Sequence, residues 1–181
     1  MCIRDRLKVD AIQSRGSSDS AITFNGGLLL PRSVILQVTA SNTDQSFDPS
    51  SGFGKVEWES VEIDTISGWS TSNHRYTPSV AGYYLVGGSV RILTSGAFQS
   101  ASFEIRKSDS GTGTSSGAIR TQFQFSSDII TNTEIPLPTG MLEMNGSTDY
   151  IEVFVDSDET ITLHDNAERR SHFFAMLVHA T

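Results

Sequence analysis

Short runs of apolar residues, most of them alternating with polar ones, recur along the chain at regular intervals. Ser-, Gly- and Asp-rich stretches separate these runs, which is the pattern of a β-sandwich or barrel. We predict ten strands, at residues 34–40, 56–63, 75–78, 83–93, 101–106, 119–125, 137–144, 150–155, 160–164 and 172–178. The predicted fold class is therefore all-β, an antiparallel ten-strand sandwich.

Two of the predicted strands are apolar on both faces. Tyr150 and Phe154 alternate with isoleucine and valine in one, and Phe174 and Met176 alternate with other apolar residues in the last strand. An antiparallel sandwich shows one face of each sheet to water, so such a strand needs a second surface to cover it. The cover is either another protein surface or the chain's own loops.

Turn-forming residues mark the connections. Asn145-Gly146 stands between two predicted strands and favours a hairpin, because both residues tolerate positive φ. If the protein binds a partner through loops at one end of a rigid sandwich, the candidates are residues 43–53, 93–100, 108–117 and 126–133.

Composition and charge narrow the function classes. Charged residues are only 19% of the chain, and the formal net charge is −8. No basic run is present that could neutralise phosphates, so we expect no nucleic-acid partner. No stretch of about 18 consecutive apolar residues occurs, so we expect no membrane insertion.

The first 32 residues differ from the rest. Residues 1–6 resemble a recurrent artefact at the start of metagenomic reading frames and lack the apolar segment of a secretory signal. We expect this start not to be native, in which case Cys2, the only cysteine, carries no information. Residues 7–32 hold short apolar runs among Gly-rich turns and resemble the β-rich connectors that precede head domains in bacteriophage tail fibres. A partly ordered linker is the alternative.

Residues 58–84 carry aromatic, acidic and glycine residues at a characteristic spacing, namely Trp58, Asp64, Trp69, Tyr76, Gly82 and Tyr84. This spacing is similar to the signature of the C1q family. The departures are Trp58 and Tyr76 where the family has Phe, and Val86 and Gly88 at the two positions that follow. Residues 171–178 also resemble the closing strand of that family. Residues 33–181 thus resemble a C1q/tumour-necrosis-factor-like jelly-roll domain, in which the six signature residues serve core packing.

The resemblance implies a homotrimer. In families of this shape, two further copies around a threefold axis cover the outward apolar residues. The predicted trimer-interface residues are Tyr150, Phe154, Phe174 and Met176.

No catalytic constellation is found. The histidines, His74, His164, His172 and His179, lack metal-ligand spacing. Neither a nucleophile elbow nor a phosphate-binding glycine loop is present, so we expect no enzyme and no organic cofactor. Three acidic residues of one predicted turn are candidate calcium ligands, because calcium takes carboxylate oxygens, and a solvated acidic turn is the alternative; they are Asp156, Asp158 and Glu159.

The expected function is that of a non-enzymatic, trimeric surface module of a bacteriophage virion. It is either a tail-fibre head that binds a host surface glycan or protein, or a capsid decoration protein. Residues 7–32 would contact other virion proteins. The alternative is a secreted or cell-surface bacterial lectin-like adhesin.

Overall fold

The computed structural model describes residues 22–24, 27–29, 33–40, 44–94, 100–108, 118–125, 133–164 and 171–181. These residues fall into two units that divide between Ser33 and Val34. In the first unit, β1 (Ile22–Phe24) and β2 (Gly27–Leu29) form an antiparallel pair. The connector function of residues 7–32 stays a prediction.

The second unit is built from strands. In chain order they are β3 (Ile35–Thr39), β4 (Gln45–Phe47), β5 (Gly54–Lys55), β6 (Ser60–Asp64), β7 (Trp69–Ser70), β8 (Arg75–Tyr76), β9 (Ala81–Thr94), β10 (Ala101–Ser108), β11 (Ala118–Phe125), β12 (Thr133–Pro136), β13 (Gly140–Asn145), β14 (Tyr150–Ser157), β15 (Ile161–Leu163) and β16 (His172–Ala180). A short 3-10 helix, Pro49–Ser51, lies between β4 and β5. The described residues contain no helix long and apolar enough to cross a membrane.

The strands pair antiparallel in two sheets. The six-stranded sheet has the order β11-β10-β14-β8-β7, and β5 also pairs with β14. The eight-stranded sheet is centred on β9, which pairs with β12 and β13 along one edge and with β15 and β16 along the other. Beyond these lie β4, next to β15, and β3 with β6, next to β16. The predicted all-β antiparallel sandwich is confirmed. The count of ten stays a prediction, because several of these segments lie end to end along one neighbour.

The core lies between the two sheets and is rich in aromatic side chains. Trp58 stacks on Phe173, with ring centroids 6.4 Å apart, and Tyr76 meets the ring of Tyr84 edge-on at 6.2 Å. All four side chains are fully buried, as is Phe103 on β10 of the six-stranded sheet. Aromatic pairs in these arrangements stabilise a core by about 0.5–1.5 kcal/mol beyond the area that they bury.

The predicted hairpin at Asn145-Gly146 is wrong. β13 belongs to the eight-stranded sheet and β14 to the six-stranded sheet, so this turn carries the chain from one sheet to the other. The side chain of Asn145 accepts hydrogen bonds from the backbone N–H groups of Ser147 and Thr148, at 2.9 Å each. This local capping turns the chain away from β13, and a two-residue hairpin would have returned it alongside.

The remaining differences from the predicted strands are boundaries and short strands that were not predicted. The strand predicted at residues 137–144 begins only at Gly140, in β13, and residues 137–139 separate it from β12. Pro136 and Pro138 have no N–H to donate, which explains a break at this point. The short strands β4, β5, β7 and β12 lie outside every predicted strand, since segments of two to four residues carry too little apolar pattern to detect.

Candidate functional site

The large apolar side chains that are exposed in the described residues share one location. All of them belong to strands of the eight-stranded sheet, and they are Val61, Ile63, Tyr83, Met141, Met176 and Val178. The exposed fraction reaches 53% for Met141 and 56% for Val178. Apolar residues scattered singly need no explanation, but a group on one sheet marks an interaction surface.

Four of the apolar side chains form a row across this sheet. Met176 lies directly opposite Ile35 on one side and Leu85 on the other, and Leu85 lies opposite Met141. Residues directly opposite each other in a sheet share a face, so the row crosses β3, β16, β9 and β13 on one side. We call the outward side of these four strands the open face, defined by Ile35, Tyr83, Leu85, Met141, Phe174 and Met176.

A glycine makes room for the largest ring of the open face. A Cβ added at Gly87 would lie 3.0 Å from the ring carbon Cζ of Phe174, so the ring lies across the bare backbone of β9. Gly87 is buried as a result, and Phe174 is half-buried. The ring therefore lies low on the sheet, which leaves this part of the open face flat.

The two ends of the open face differ in chemistry. At one end, the ring of Tyr83 stacks on that of His179 at 6.4 Å. At the other end, the Ser89 hydroxyl lies 3.0 Å from Oε1 of Glu134 and 3.2 Å from Nδ1 of His172. A hydroxyl hydrogen can satisfy only one of these acceptors, so a proton on Nδ1 of His172 completes the chain of hydrogen bonds. The apolar row thus lies between a ring stack and a polar cluster.

The predicted trimer-interface residues do not lie on one surface. Phe174 and Met176 belong to the open face, whereas Tyr150 and Phe154 lie on β14, in the other sheet. Their neighbours on β14 point into the core, so Tyr150 and Phe154 face outward on the far side of the sandwich. A single sheet-face interface can include at most one of the two pairs. The interface assignment itself stays a prediction.

The chain's own side chains cover Tyr150 and Phe154, which are only 2% and 5% exposed. The guanidinium carbon of Arg75 lies 4.5 Å from the ring centroid of Tyr150. That of Arg106 lies between two rings, 4.2 Å from Phe154 and 4.6 Å from Phe53. The sequence left two possible covers for the outward residues of β14, another protein surface or the chain itself. In the structure the chain itself covers them.

Charged partners hold this cover in place. Arg106 donates through Nε to Oε2 of Glu104 at 2.6 Å, and both side chains are buried. Beside them, Lys55 Nζ lies 2.9 Å from Oε1 of the buried Glu152. Buried charges persist only when they are paired in this way.

The six signature residues serve packing and one turn. Trp58, Tyr76 and Tyr84 are fully buried, and Trp69 is partly buried against the same core. The carboxylate of Asp64 accepts from the backbone N–H groups of Ile66, Gly68 and Trp69, at 3.3, 3.1 and 2.8 Å. Because β6 and β7 belong to different sheets, Asp64 fixes a turn that crosses the sandwich. At Gly82, whose φ is +152°, an added Cβ would overlap the backbone oxygen of His179, so only glycine fits there.

The four histidines lie at separate places. His164 pairs with Asp44 at 2.6 Å, and Nδ1 of His74 lies 3.5 Å from the backbone oxygen of Trp58. His172 belongs to the polar cluster and His179 to the ring stack described above. Among the described residues, no three His, Cys, Asp or Glu side chains come together as ligands of a metal ion.

The candidate calcium ligands are engaged in local hydrogen bonds. Asp156 Oδ1 accepts from the backbone N–H of Ser157 at 3.0 Å, and Asp158 Oδ1 accepts from that of Ser100 at 2.9 Å. Glu159 is exposed, and its backbone oxygen accepts from the Ser157 hydroxyl. The described residues therefore do not assemble the three carboxylates around one point.

Of the four candidate binding loops, residues 43–53 lie almost wholly within the described chain. They are more regular than a loop, since they contain β4 and the 3-10 helix. Of the other three loops, the structure describes only residues 93, 94, 100, 108 and 133, so their candidacy stays a prediction.

Comparisons with known proteins place the fold. No protein-family model matches the sequence, and no curated protein matches it. Solved structures do: murine APRIL at pH 5.0 aligns with a TM-score of 0.59 and 10% identity, over 81% of this chain and all of that one. Murine APRIL at pH 8.5 gives the same TM-score at 11% identity. Eiger TNF from S. frugiperda aligns with a TM-score of 0.55 and 11% identity, over 82% of this chain and 94% of that one.

Proposed function

The chain has a tumour-necrosis-factor-like jelly-roll fold, and we propose that it is a non-enzymatic binding or structural module that assembles as a homotrimer through the open face. The observation that carries the proposal is the grouping of the exposed large apolar side chains on the eight-stranded sheet. Burial of apolar area is the main favourable term in protein association. The described part of the six-stranded sheet offers no such surface, because Arg75 and Arg106 cover the outward aromatic rings of β14.

The charge of the chain favours self-association through an apolar surface. Each copy carries a formal charge of −8, so copies repel one another wherever their acidic surfaces meet. The apolar row of Ile35, Met176, Leu85 and Met141 contains no charged residue, and the charged side chain next to it on β13 is that of Glu143, opposite Tyr83. Copies can therefore approach through the row itself without placing like charges side by side.

We propose further that the module belongs to a bacteriophage virion, as a tail-fibre head or a capsid decoration protein. The likeness of residues 7–32 to tail-fibre connectors supports this assignment, together with the jelly-roll fold of the second unit. A secreted or cell-surface bacterial adhesin uses the same fold and the same assembly. It differs in the partner of residues 7–32, which would belong to a cell envelope.

Charge placed in the open face tests the assembly. Met176→Lys puts an unpaired ammonium group into the proposed interface of every copy, and the trimer is expected to dissociate while each subunit stays folded. Thr160→Lys, in an exposed turn between β14 and β15, is the control that should leave assembly unchanged. Sedimentation velocity gives both results. A Met176→Lys protein that sediments like the parent chain would refute the assignment of the open face.

Two assays on the parent particle separate the virion roles. A tail-fibre head with altered binding loops should lose adsorption to host cells, whereas a decoration protein should retain infectivity. Deleting residues 7–32 should release either protein from purified particles. If the chain copurifies with cell envelopes and never with particles, the adhesin alternative is correct.

A further inference from the structure

A cavity of about 500 Å³ opens beside β4, and no residue of the open face lines it. Its walls come from β4 and the residues on either side of it, the end of the 3-10 helix, β5, Glu57 and Glu59. Cavities of roughly 300–1,000 Å³ are the ordinary size of small-molecule sites. Nothing in the proposed assembly uses this cavity, so it is available for a ligand. We call it the β4 pocket.

The walls of the β4 pocket are held in place before any ligand arrives. The Gln45 amide makes two hydrogen bonds to the backbone of Glu57, donating from Nε2 to its oxygen at 2.6 Å and accepting from its N–H at 2.8 Å. β4 also pairs with β15, in a register that places Phe47 opposite Ile161. A site whose walls are fixed in this way binds without first ordering a loop.

An aromatic ring forms part of the lining. A Cβ added at Gly54 would lie 2.5 Å from Cδ1 of Phe47 and 2.9 Å from its Cε1, so this edge of the ring lies against the bare backbone of Gly54. Phe47 is only partly buried, which leaves ring surface at the cavity. The missing side chain at Gly54 thus leaves room for the Phe47 ring, as the missing side chain at Gly87 does for Phe174.

Carboxylates are the main charged groups around this ring. Those of Asp44, Asp48, Glu57 and Glu59 line the cavity; Asp44 pairs with His164 at 2.6 Å, and no described residue donates to the carboxylates of Glu57 and Glu59. The backbone N–H of Ser50, which donates to Asp48 Oδ1 at 2.8 Å, keeps the pKa of Asp48 below its ordinary value, so this group stays an acceptor. Lys55 is already engaged by Glu152 and by the backbone oxygen of Asn73.

We propose that the β4 pocket binds a neutral, hydroxyl-rich saccharide unit, and that Phe47 and the carboxylates of Glu57 and Glu59 are its contact residues. Vicinal hydroxyl groups supply donors to the carboxylates of Glu57 and Glu59, and hydrogen bonds to ionised acceptors are the stronger kind. The apolar C–H face of a sugar ring suits the surface of Phe47. This inference rests on the proposed function only in taking the saccharide to be part of a host surface.

Size and charge decide against the other ligand classes. A cavity of about 500 Å³ is far larger than an ammonium group, and Glu57 and Glu59 are exposed, so water and salt screen their attraction for a small cation. The negative charge of an anionic glycan gains nothing from a lining with four carboxylates, those of Asp44, Asp48, Glu57 and Glu59. A neutral ligand of one or two sugar rings avoids both difficulties.

The test is a titration of the full chain, followed by NMR, with maltose, lactose, cellobiose and chitobiose. Spermidine and 3′-sialyllactose serve as the cationic and anionic arms. We expect at least one neutral disaccharide to bind at millimolar concentration and to shift the amide signals of β4 and residues 54–59. The proposal is overturned if no neutral disaccharide binds, or if spermidine alone shifts these signals. Shifts confined to another part of the chain would also overturn it.

Variants assign the contact residues. The methyl group of Gly54→Ala displaces the Phe47 ring and leaves every polar group of the pocket in place. This variant should bind the disaccharide roughly tenfold more weakly or worse, as expected for the loss of a central aromatic contact. The double variant E57Q/E59Q keeps the shape and weakens acceptance, so it should also bind less tightly. Glu143→Gln, on a strand remote from the pocket, is the control with unchanged affinity. Equal affinity in all three variants would refute the assignment even if a saccharide binds.

Failure here is distinguishable from failure of the proposed function. The titration needs neither the trimer nor the virion, since the pocket lies within one chain. A chain that binds disaccharides but sediments as a monomer would sink the assembly proposal alone. A trimer that binds none of them would sink the pocket alone.

Discussion

Gly88 is the position at which the smallest substitution should have the largest effect. It lies in the middle of β9 with φ of +158°. An added Cβ would overlap the carbonyl oxygen of His172 on β16, because the two atoms would be much closer than a van der Waals contact. The Cα of Phe173 would lie 3.0 Å from the same Cβ. These neighbours are backbone atoms of the adjacent strand, so no side-chain rotation relieves the contact.

The magnitude follows from the geometry. Carbon and carbonyl oxygen in neighbouring strands ordinarily stay about 3.3–3.6 Å apart, so the strands would have to separate by roughly 1 Å. Overpacking of this kind costs about 1–3 kcal/mol, and a side chain held in a glycine-only backbone conformation costs about 1–3 kcal/mol more. We expect Gly88→Ala to destabilise the fold by about 3 kcal/mol, which lowers the Tm by roughly 6–12 °C for a unit of this size.

Gly87→Ala is the matched control. Its Cβ would meet the Phe174 ring and the Thr139 hydroxyl at 3.0 Å each, and both are side chains that can move. Gly87 is not among the residues with positive φ. Its cost should therefore be well below that of Gly88→Ala. Urea denaturation of both variants measures the difference, and equal stability of Gly88→Ala and the parent chain would refute the β9–β16 geometry.

Three other predictions concern the core and its turns. Tyr84→Phe removes the hydrogen bond to the backbone oxygen of Val80 and should cost about 1 kcal/mol, whereas Tyr84→Ala should cost about 3–5 kcal/mol; equal costs in thermal denaturation would contradict the buried ring. Asp64→Ala leaves three backbone N–H groups without their acceptor, including that of Trp69, and should lower the free energy of unfolding in urea by about 1–3 kcal/mol; an unchanged midpoint would show that water replaces the carboxylate. Burial raises the pKa of Tyr76 and raises that of Tyr84 to about 12. The unfolded chain ionises these phenols near pH 10 while the folded chain does not, so stability should fall as pH rises above about 10; a constant urea midpoint from pH 8 to 11 would contradict this.

Much of the sandwich could be predicted from the sequence because its strands are long and alternate. Tyr84, Val86, Val90 and Ile92 occupy every second position of β9 apart from Gly88, and all four are buried. Gly88 stands where the C1q signature has an aromatic, and the close approach of β16 explains why this chain has no side chain there.

What could not be predicted depends on which strands lie side by side. Met141 becomes part of an apolar row only because β13 pairs with β9 in a register that places it opposite Leu85. From the sequence alone, Phe154 is predicted to be an exposed apolar residue. In the structure Arg106 covers its ring, because β10 pairs with β14 in a register that places Glu104 opposite Phe154. The pairing of strands distant in sequence decides both cases, and the local pattern does not contain it.

The central claim is that the open face joins three copies of this chain, and the mass of the protein in solution tests it most directly. Multi-angle light scattering at micromolar concentration should give about three times the 19.7 kDa mass of one chain. Added salt should not lower this value, because apolar burial is not screened and salt weakens the repulsion between copies of formal charge −8. A mass of one chain under these conditions would contradict the account.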